Sequence, residues 1–208
     1  MNIKVCGITS RKQLEQLEGL NVAFAGFIFH KDSPRYAGDK LEGEDLIGLD
    51  LDVKKVGVFV NEEYEDIMEM VEKFELDMVQ LHGEESPELC GELSEDVEVI
   101  KAFRISPDTA SIDKLVAPYD NVCDYYLFDT ASEGSKGGTG KKFDWKMITD
   151  SKIEKPFFLS GGIGPADVAA IKKFKHPDFY GIDVNSLFEK EPGVKDMGLV
   201  LKFTRDLK

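Results

Sequence analysis

Cysteine, histidine and positive charge are all scarce in this chain, and each scarcity removes a class of function. The three cysteines, Cys6, Cys90 and Cys123, are odd in number and form no CxxC pair, so neither a disulfide framework nor a zinc site is suggested. Reduced thiols in a cytoplasm fit that usage. Only 26 Lys and Arg stand against 40 Asp and Glu, a net charge of -14, which repels nucleic acid and anionic membrane surfaces. An anionic ligand would therefore have to be held by local dipoles and a few placed cations. Long apolar runs are missing as well. The longest, Val22 to Phe29, is far too short to span a bilayer, and the stretch MNIKVCGITSRKQ has no apolar signal region. With 208 residues, 42% of them hydrophobic, and no low-complexity segment or linker, the expectation is one domain over 1–208 with a substantial core.

What the chain does have is a beat. Short apolar runs alternate with stretches of helical spacing at roughly 20 to 30 residues, as expected of a parallel sheet covered by helices. The runs are Ile3 to Cys6, Val22 to Phe29, Val56 to Val60, Met78 to Leu81, Val97 to Phe103, Asp124 to Phe128, Pro156 to Leu159 and Phe179 to Val184. Helices are predicted after each. They include one from Thr9 or Ser10 through Leu20, a weaker one around Leu41 to Leu49, one over Glu62 to Phe74, one from about Pro107 to Val116, and a terminal one through Leu199 and Phe203. Eight such units predict an α/β fold, a single (β/α)8 TIM barrel, at the short end of its length range. An open doubly wound sheet would need fewer strands and a glycine fingerprint after the first, where Gly7 stands alone.

Chemically capable residues fall where the predicted strands stop: Cys6, Asn61, His82, Arg104, Asp129, Ser160 and Ser186. In a barrel those ends share one face, which is where catalytic residues of this architecture lie. Asp129 is followed at once by Gly134, Gly137, Gly138 and Gly140. An acid at a strand end before bare backbone suits proton transfer joined to phosphate capture. Each residue also has a plainer reading. Cys6 could be a small buried apolar residue, His82 a cap for the next helix, and Arg35 a solvated loop cation.

The motifs KVCGIT (Lys4 to Thr9), GFIFHKDSPRY (Gly26 to Tyr36), VGVFVN (Val56 to Asn61) and VQLHGEE (Val79 to Glu85) resemble those of the phosphoribosylanthranilate isomerase family. So do FDT at Phe128 to Thr130, GGTGKKFDW at Gly137 to Trp145, LSGGI at Leu159 to Ile163 and PGVKD at Pro192 to Asp196. The resemblance runs from end to end. It implies an isomerase of tryptophan biosynthesis that needs no metal and no cofactor. The reaction implied is an Amadori rearrangement of N-(5-phosphoribosyl)anthranilate to 1-(2-carboxyphenylamino)-1-deoxyribulose 5-phosphate. By the same resemblance Asp129 is the general acid and Cys6 the general base. That inverts the solution order, in which Asp titrates near about 4 and Cys near about 8.5, so Asp129 is expected to be pushed up and Cys6 down. The reverse roles remain chemically possible.

The resemblance further assigns Arg35 to the anthranilate carboxylate and His82 to the pocket wall. The phosphate is expected on backbone near Gly138, Gly140, Gly161, Gly162 and Ser186, with Asp183 among the residues of the site. Leu187 departs from the family pattern by replacing a glycine there; Asn185 can still cap and Ser186 can still donate. The partner expected is therefore a small anionic substrate, with no nucleic acid or membrane, and the chain is either a monomer or a homodimer. Two other functions compete. A metal-dependent pentose-phosphate epimerase needs converging His and Asp ligands, but His176 precedes strand 8 and sits at the wrong end of a barrel. A protein that binds sugar phosphate without turnover would have no use for both Cys6 and Asp129.

Strand alternation puts Lys4 on the side of Cys6, which for a catalytic cysteine is the barrel interior. Closure places strand 8 beside strand 1, so a Lys4–Asp183 ion pair under the site is expected. The alternative is a Lys4 that leaves through the barrel's lower end.

Overall fold

The computed structural model describes residues 1–130 and 145–208. Gly134, Gly137, Gly138 and Gly140 lie outside the described residues. Eight parallel strands close into a barrel in sequential order: β1 (Asn2–Cys6), β2 (Phe24–Ile28), β3 (Lys54–Phe59), β4 (Met78–Leu81), β5 (Glu98–Ile105), β6 (Tyr125–Thr130), β7 (Phe157–Leu159) and β8 (Phe179–Val184). β1 closes the ring on β8, pairing Lys4 with Asp183 and Val5 with Val184.

Period-2 alternation sorts the strand side chains into two cores. One inner cluster takes Phe24, Val56, Met78, Ile100, Ala102, Leu127 and Phe158, two residues from β5 and one from each of the other strands from β2 to β7. Phe24 and Phe158 meet edge to face at 5.4 Å between ring centroids, so this cluster is a solid plug rather than a channel. Outward residues such as Val5, Phe27, Val79 and Phe128 are buried in a second cluster under the helices. Leu14 and Leu17 of α1 (Arg11–Glu18), Ile67 and Phe74 of α2 (Tyr64–Phe74), and Cys90 and Leu93 of α3 (Pro87–Leu93) belong to it. Helix starts follow their caps. Ser10 accepts from Gln13 N–H, Ser86 from Leu89 N–H ahead of Pro87, and Asp196 from the N–H groups of Gly198 and Leu199 at the head of the helix Met197–Leu207.

Three expectations change. Where a helix around Leu41 to Leu49 is predicted, the described chain has only a 3-10 turn, Gly43–Asp45. Gly43 sits directly against the Lys73 carbonyl of α2, leaving no room for a side chain, and three glycines at 38, 43 and 48 disfavour helix. The helix predicted from Pro107 narrows to α4 (Ile112–Val116), capped by Ser111. After β8 the chain does not pass straight into the helix Met197–Leu207. A 3-10 turn, Ser186–Phe188, leads into an antiparallel hairpin of β9 (Glu189–Glu191) and β10 (Val194–Lys195). The hairpin is tied to the head of α1: the Gly193 carbonyl accepts from Thr9 Oγ1 at 2.6 Å and Gln13 Nε2 at 3.0 Å.

A buried knot shapes the turn after β4. Lys101 Nζ of β5 donates to Gly83 O and to Glu85 Oε2, each at 2.8 Å. Glu85 in turn accepts from the Asn61 and Gly83 N–H groups. Burial alone would raise the Glu85 carboxyl, but Lys101 and those N–H groups hold it below the ordinary range. A depressed folded value means the carboxylate contributes stability above the unfolded pKa near 4.5 and loses it as pH falls through the folded one. Lys101→Met strands that carboxylate and is expected to cost about 3 to 5 kcal/mol at neutral pH. Urea melts should show the deficit shrinking as pH falls from neutral, beginning above the ordinary 4.5 because burial raises the stranded carboxyl. A deficit independent of pH would mean the loss is one of packing.

Candidate active site

Cys6 ends β1 with 5% of its surface exposed. Lys4, two residues earlier on the same face, is wholly buried, and its Nζ donates to Asp183 Oδ1 at 2.9 Å. The expected ion pair is present, and Lys4 does not leave through the lower end. Asp183 has its second oxygen filled by Ser160 Oγ at 3.1 Å, so both oxygens serve the barrel interior. Burial disfavours the Lys4 charge, yet Asp183 and Cys6 together outweigh it and Lys4 is raised above its ordinary value, a firm cation. Gly26 on β2 makes the space. A side chain there would begin 2.9 Å from the Cys6 sulfur and 3.1 Å from Lys4 Nζ.

The expected depression of Cys6 is corrected by the structure. Burial pushes the thiol up; Lys4 opposes this most, Asp183 reinforces it, and Lys195 opposes it again. Desolvation of the sulfur outweighs the nearby cations.

Gly7 follows Cys6 at φ +80, a conformation that favours glycine. A side chain on it would collide with Asn185 Oδ1 and Arg35 Cδ and press on Lys195 Nζ. Those three groups therefore converge next to the thiol. Lys195 Nζ donates to Asn185 Oδ1 and to Glu189 Oε1, both at 2.7 Å. Glu189 also takes the Arg35 fork, with Nη2 to Oε2 at 2.7 Å and Nε to Oε1 at 2.9 Å. Although burial resists it, this double pairing holds the Glu189 carboxyl below the usual range. Three cations, Lys4, Arg35 and Lys195, thus face two anions, Asp183 and Glu189, leaving one positive charge in excess.

Asp129 lies in β6 one residue before its end, a quarter exposed. Its Oδ1 accepts from Thr130 N–H at 2.8 Å and its Oδ2 lies 3.2 Å from His82 Nε2. His82 is therefore bonded to the acid and does not merely cap α3, whose N-cap is Ser86. Arg104, exposed, is the register partner of Asp129 on β5. Behind Asp129, Gly161 (φ +90) leaves no room for a side chain, because one would begin 2.8 Å from Asp129 Oδ1. Gly162 follows at φ +67. Ser186 opens the 3-10 turn after β8, but Asn185 makes no side-chain cap there, being held by Lys195. Leu187 is 44% exposed and lies over Gly164. Gly138 and Gly140 lie outside the described residues. Among the described residues no cluster of three or more His, Cys, Asp or Glu could hold a metal ion, and no helix is long and apolar enough to cross a membrane.

Sequence reasoning missed Gln80, Glu189 and Lys195. Gln80 stood in plain view as a polar residue on the inner parity of an apolar strand. The other two depend on the hairpin fold, although Lys195 lies within the PGVKD motif.

A model of the N-(5'-phosphoribosyl)anthranilate (PRA) isomerase family matches residues 3–206. The N-(5'-phosphoribosyl)anthranilate isomerase of Parabacteroides distasonis is 43% identical over 209 residues, covering 100% of this chain and 93% of the relative. The phosphoribosyl anthranilate isomerase structure from Thermotoga maritima superposes with a TM-score of 0.85 at 33% identity, covering 100% of this chain and 98% of the other. A phosphoribosyl anthranilate isomerase in complex with reduced 1-(o-carboxyphenylamino)-1-deoxyribulose 5-phosphate superposes at 0.81 with 31% identity, covering 100% and 98%.

Lys4→Met should raise the Cys6 pKa further, because it removes the strongest opposing charge and leaves Asp183 facing the sulfur with only the weaker Lys195 effect against it. Iodoacetamide alkylation followed against pH measures this as a later midpoint. An unmoved profile would remove Lys4 from the electrostatics of the thiol.

Proposed function

Because this chain belongs to the N-(5'-phosphoribosyl)anthranilate isomerase family, we propose that Cys6 and Asp129 are the base and acid with which it works. The enzyme converts N-(5'-phosphoribosyl)anthranilate to 1-(2-carboxyphenylamino)-1-deoxyribulose 5-phosphate in tryptophan biosynthesis. The observation that carries the assignment is the contrast between two strand ends. Cys6 ends β1 beside the Lys4 cation, and Asp129 lies at the end of β6 against His82.

The chemistry divides between them. Asp129 gives its proton to the ribose ring oxygen as the C1'–O bond breaks. The anilino nitrogen supplies the electron pair for the C=N bond. Cys6, as thiolate, then takes the C2' proton, the C2'–H electrons form C1'=C2', and nitrogen recovers its pair. The resulting enolamine tautomerises to the ketone. Burial keeps the sulfur protonated more than a base should be, and the Lys4 and Lys195 cations are what favour its thiolate.

Arg35 holds the anthranilate carboxylate through Nη1, the nitrogen that Glu189 leaves unused. Gly161, Gly162 and Ser186 take the phosphate on backbone N–H groups, with Gly138 and Gly140 assigned to the same role from the sequence. Local dipoles then hold a dianion on a protein of net charge -14. A cytoplasmic enzyme fits the free thiols of Cys6, Cys90 and Cys123.

Cys6→Ala and Asp129→Asn are each expected to lower kcat on the order of 100-fold or more while leaving the fold intact. The decay of phosphoribosylanthranilate fluorescence reports turnover, and near-normal decay in either variant would take that residue out of the mechanism.

A further inference from the structure

Gln80 occupies the inner face of β4 between Met78 of the apolar plug and His82 at the mouth, and is 1% exposed. Its Nε2 lies 2.7 Å from His82 Nδ1. Its Oε1 is buried with no hydrogen-bond partner among the described residues. A buried acceptor left unpaired is costly, and a leucine would fill the same space without that cost. The nitrogen contact is therefore the feature that distinguishes glutamine here.

We propose that Gln80 is a positioning residue that fixes the tautomer of His82, so that His82 presents Nε2–H to Asp129. The proposal rests on Asp129 as general acid. The Gln80 amide donates to Nδ1, which must then be a bare lone pair, and the imidazole proton is confined to Nε2. His82 Nε2 is the atom 3.2 Å from Asp129 Oδ2. The opposite amide orientation would set Oε1 against an Nδ1–H and bury two N–H donors unpaired. That is worse than one idle carbonyl.

The consequence is specific to the reacting state. When Asp129 gives up its proton, charge appears on its carboxylate, where His82 Nε2–H and Thr130 N–H already wait. A hydrogen bond to the ionised form is about twice as strong as one to the neutral acid, so the transfer is stabilised where it occurs.

Long-range nitrogen-15 spectra of the whole enzyme test this directly. The chain has three histidines, and His82 is assigned by the signal lost in His82→Asn. The expected resting spectrum shows a bare, pyridine-like Nδ1 and a protonated Nε2. Gln80→Leu should give a mixture of tautomers and lower kcat about tenfold, the low end for an outer partner of a functional histidine, with KM little changed. Gln80→Glu should move the proton to Nδ1. If Gln80→Leu does not fold, the nearly isosteric Gln80→Met replaces it. A parent enzyme protonated at Nδ1 overturns the proposal. So does a folded Leu or Met variant that keeps the parent tautomer, or that loses it with kcat unchanged. Failure of the acid assignment shows separately, as normal turnover in Asp129→Asn with the His82 spectrum as expected.

Discussion

An ammonium in the middle of an apolar barrel is tolerable only with a carboxylate against it, and that requirement organises this molecule. Lys4 and Asp183 lie on the first and last strands, 179 residues apart, and meet at 2.9 Å. Their pairing registers the strands that close the ring. It also puts a fixed cation beside the one cysteine that faces the mouth. Desolvation makes such a pair a doubtful gain in stability, so its retention is better understood through what it does to the sulfur.

The two groups proposed for proton transfer are built alike. Each depends on a polar inward residue in a strand that is otherwise apolar: Lys4 two residues before Cys6, and Gln80 two before His82, which touches Asp129. Above Cys6 a second network, Arg35–Glu189–Lys195–Asn185, closes around the empty side of Gly7. The glycines at 7, 26 and 161 are thus spaces that neighbouring functional groups occupy. Their absent side chains set the depth of the site.

Much of this was legible in the sequence for simple reasons. The eight strands are continuous apolar runs bounded by polar breaks, and their carboxyl ends name the site in any barrel. Lys4 and Asp183 followed from alternation plus closure. The lost helix after β2 was not legible because Leu41, Leu46 and Leu49 keep a helical spacing that Gly43, pressed against Lys73, overrides. The hairpin after β8 is too short for any period to register. With it went Glu189 and Lys195, whose role exists only once the chain folds back onto Thr9 and Gln13. The direction of the Cys6 shift was misjudged because sequence shows neighbouring charges but not the depth of burial.

The distance along the chain between Lys4 and Asp183 also governs how the protein is born. At roughly 5 to 20 residues per second, the ribosome takes about 10 to 35 seconds between delivering Cys6 and delivering Asp183. For all that interval β1 has no second neighbour, and contacts so remote in sequence form late. The thiol that ends up sealed beside the ion pair is therefore open to oxidants throughout translation. The assembled barrel, which leaves Cys6 only 5% exposed, shields that thiol from oxidation better than the growing chain does.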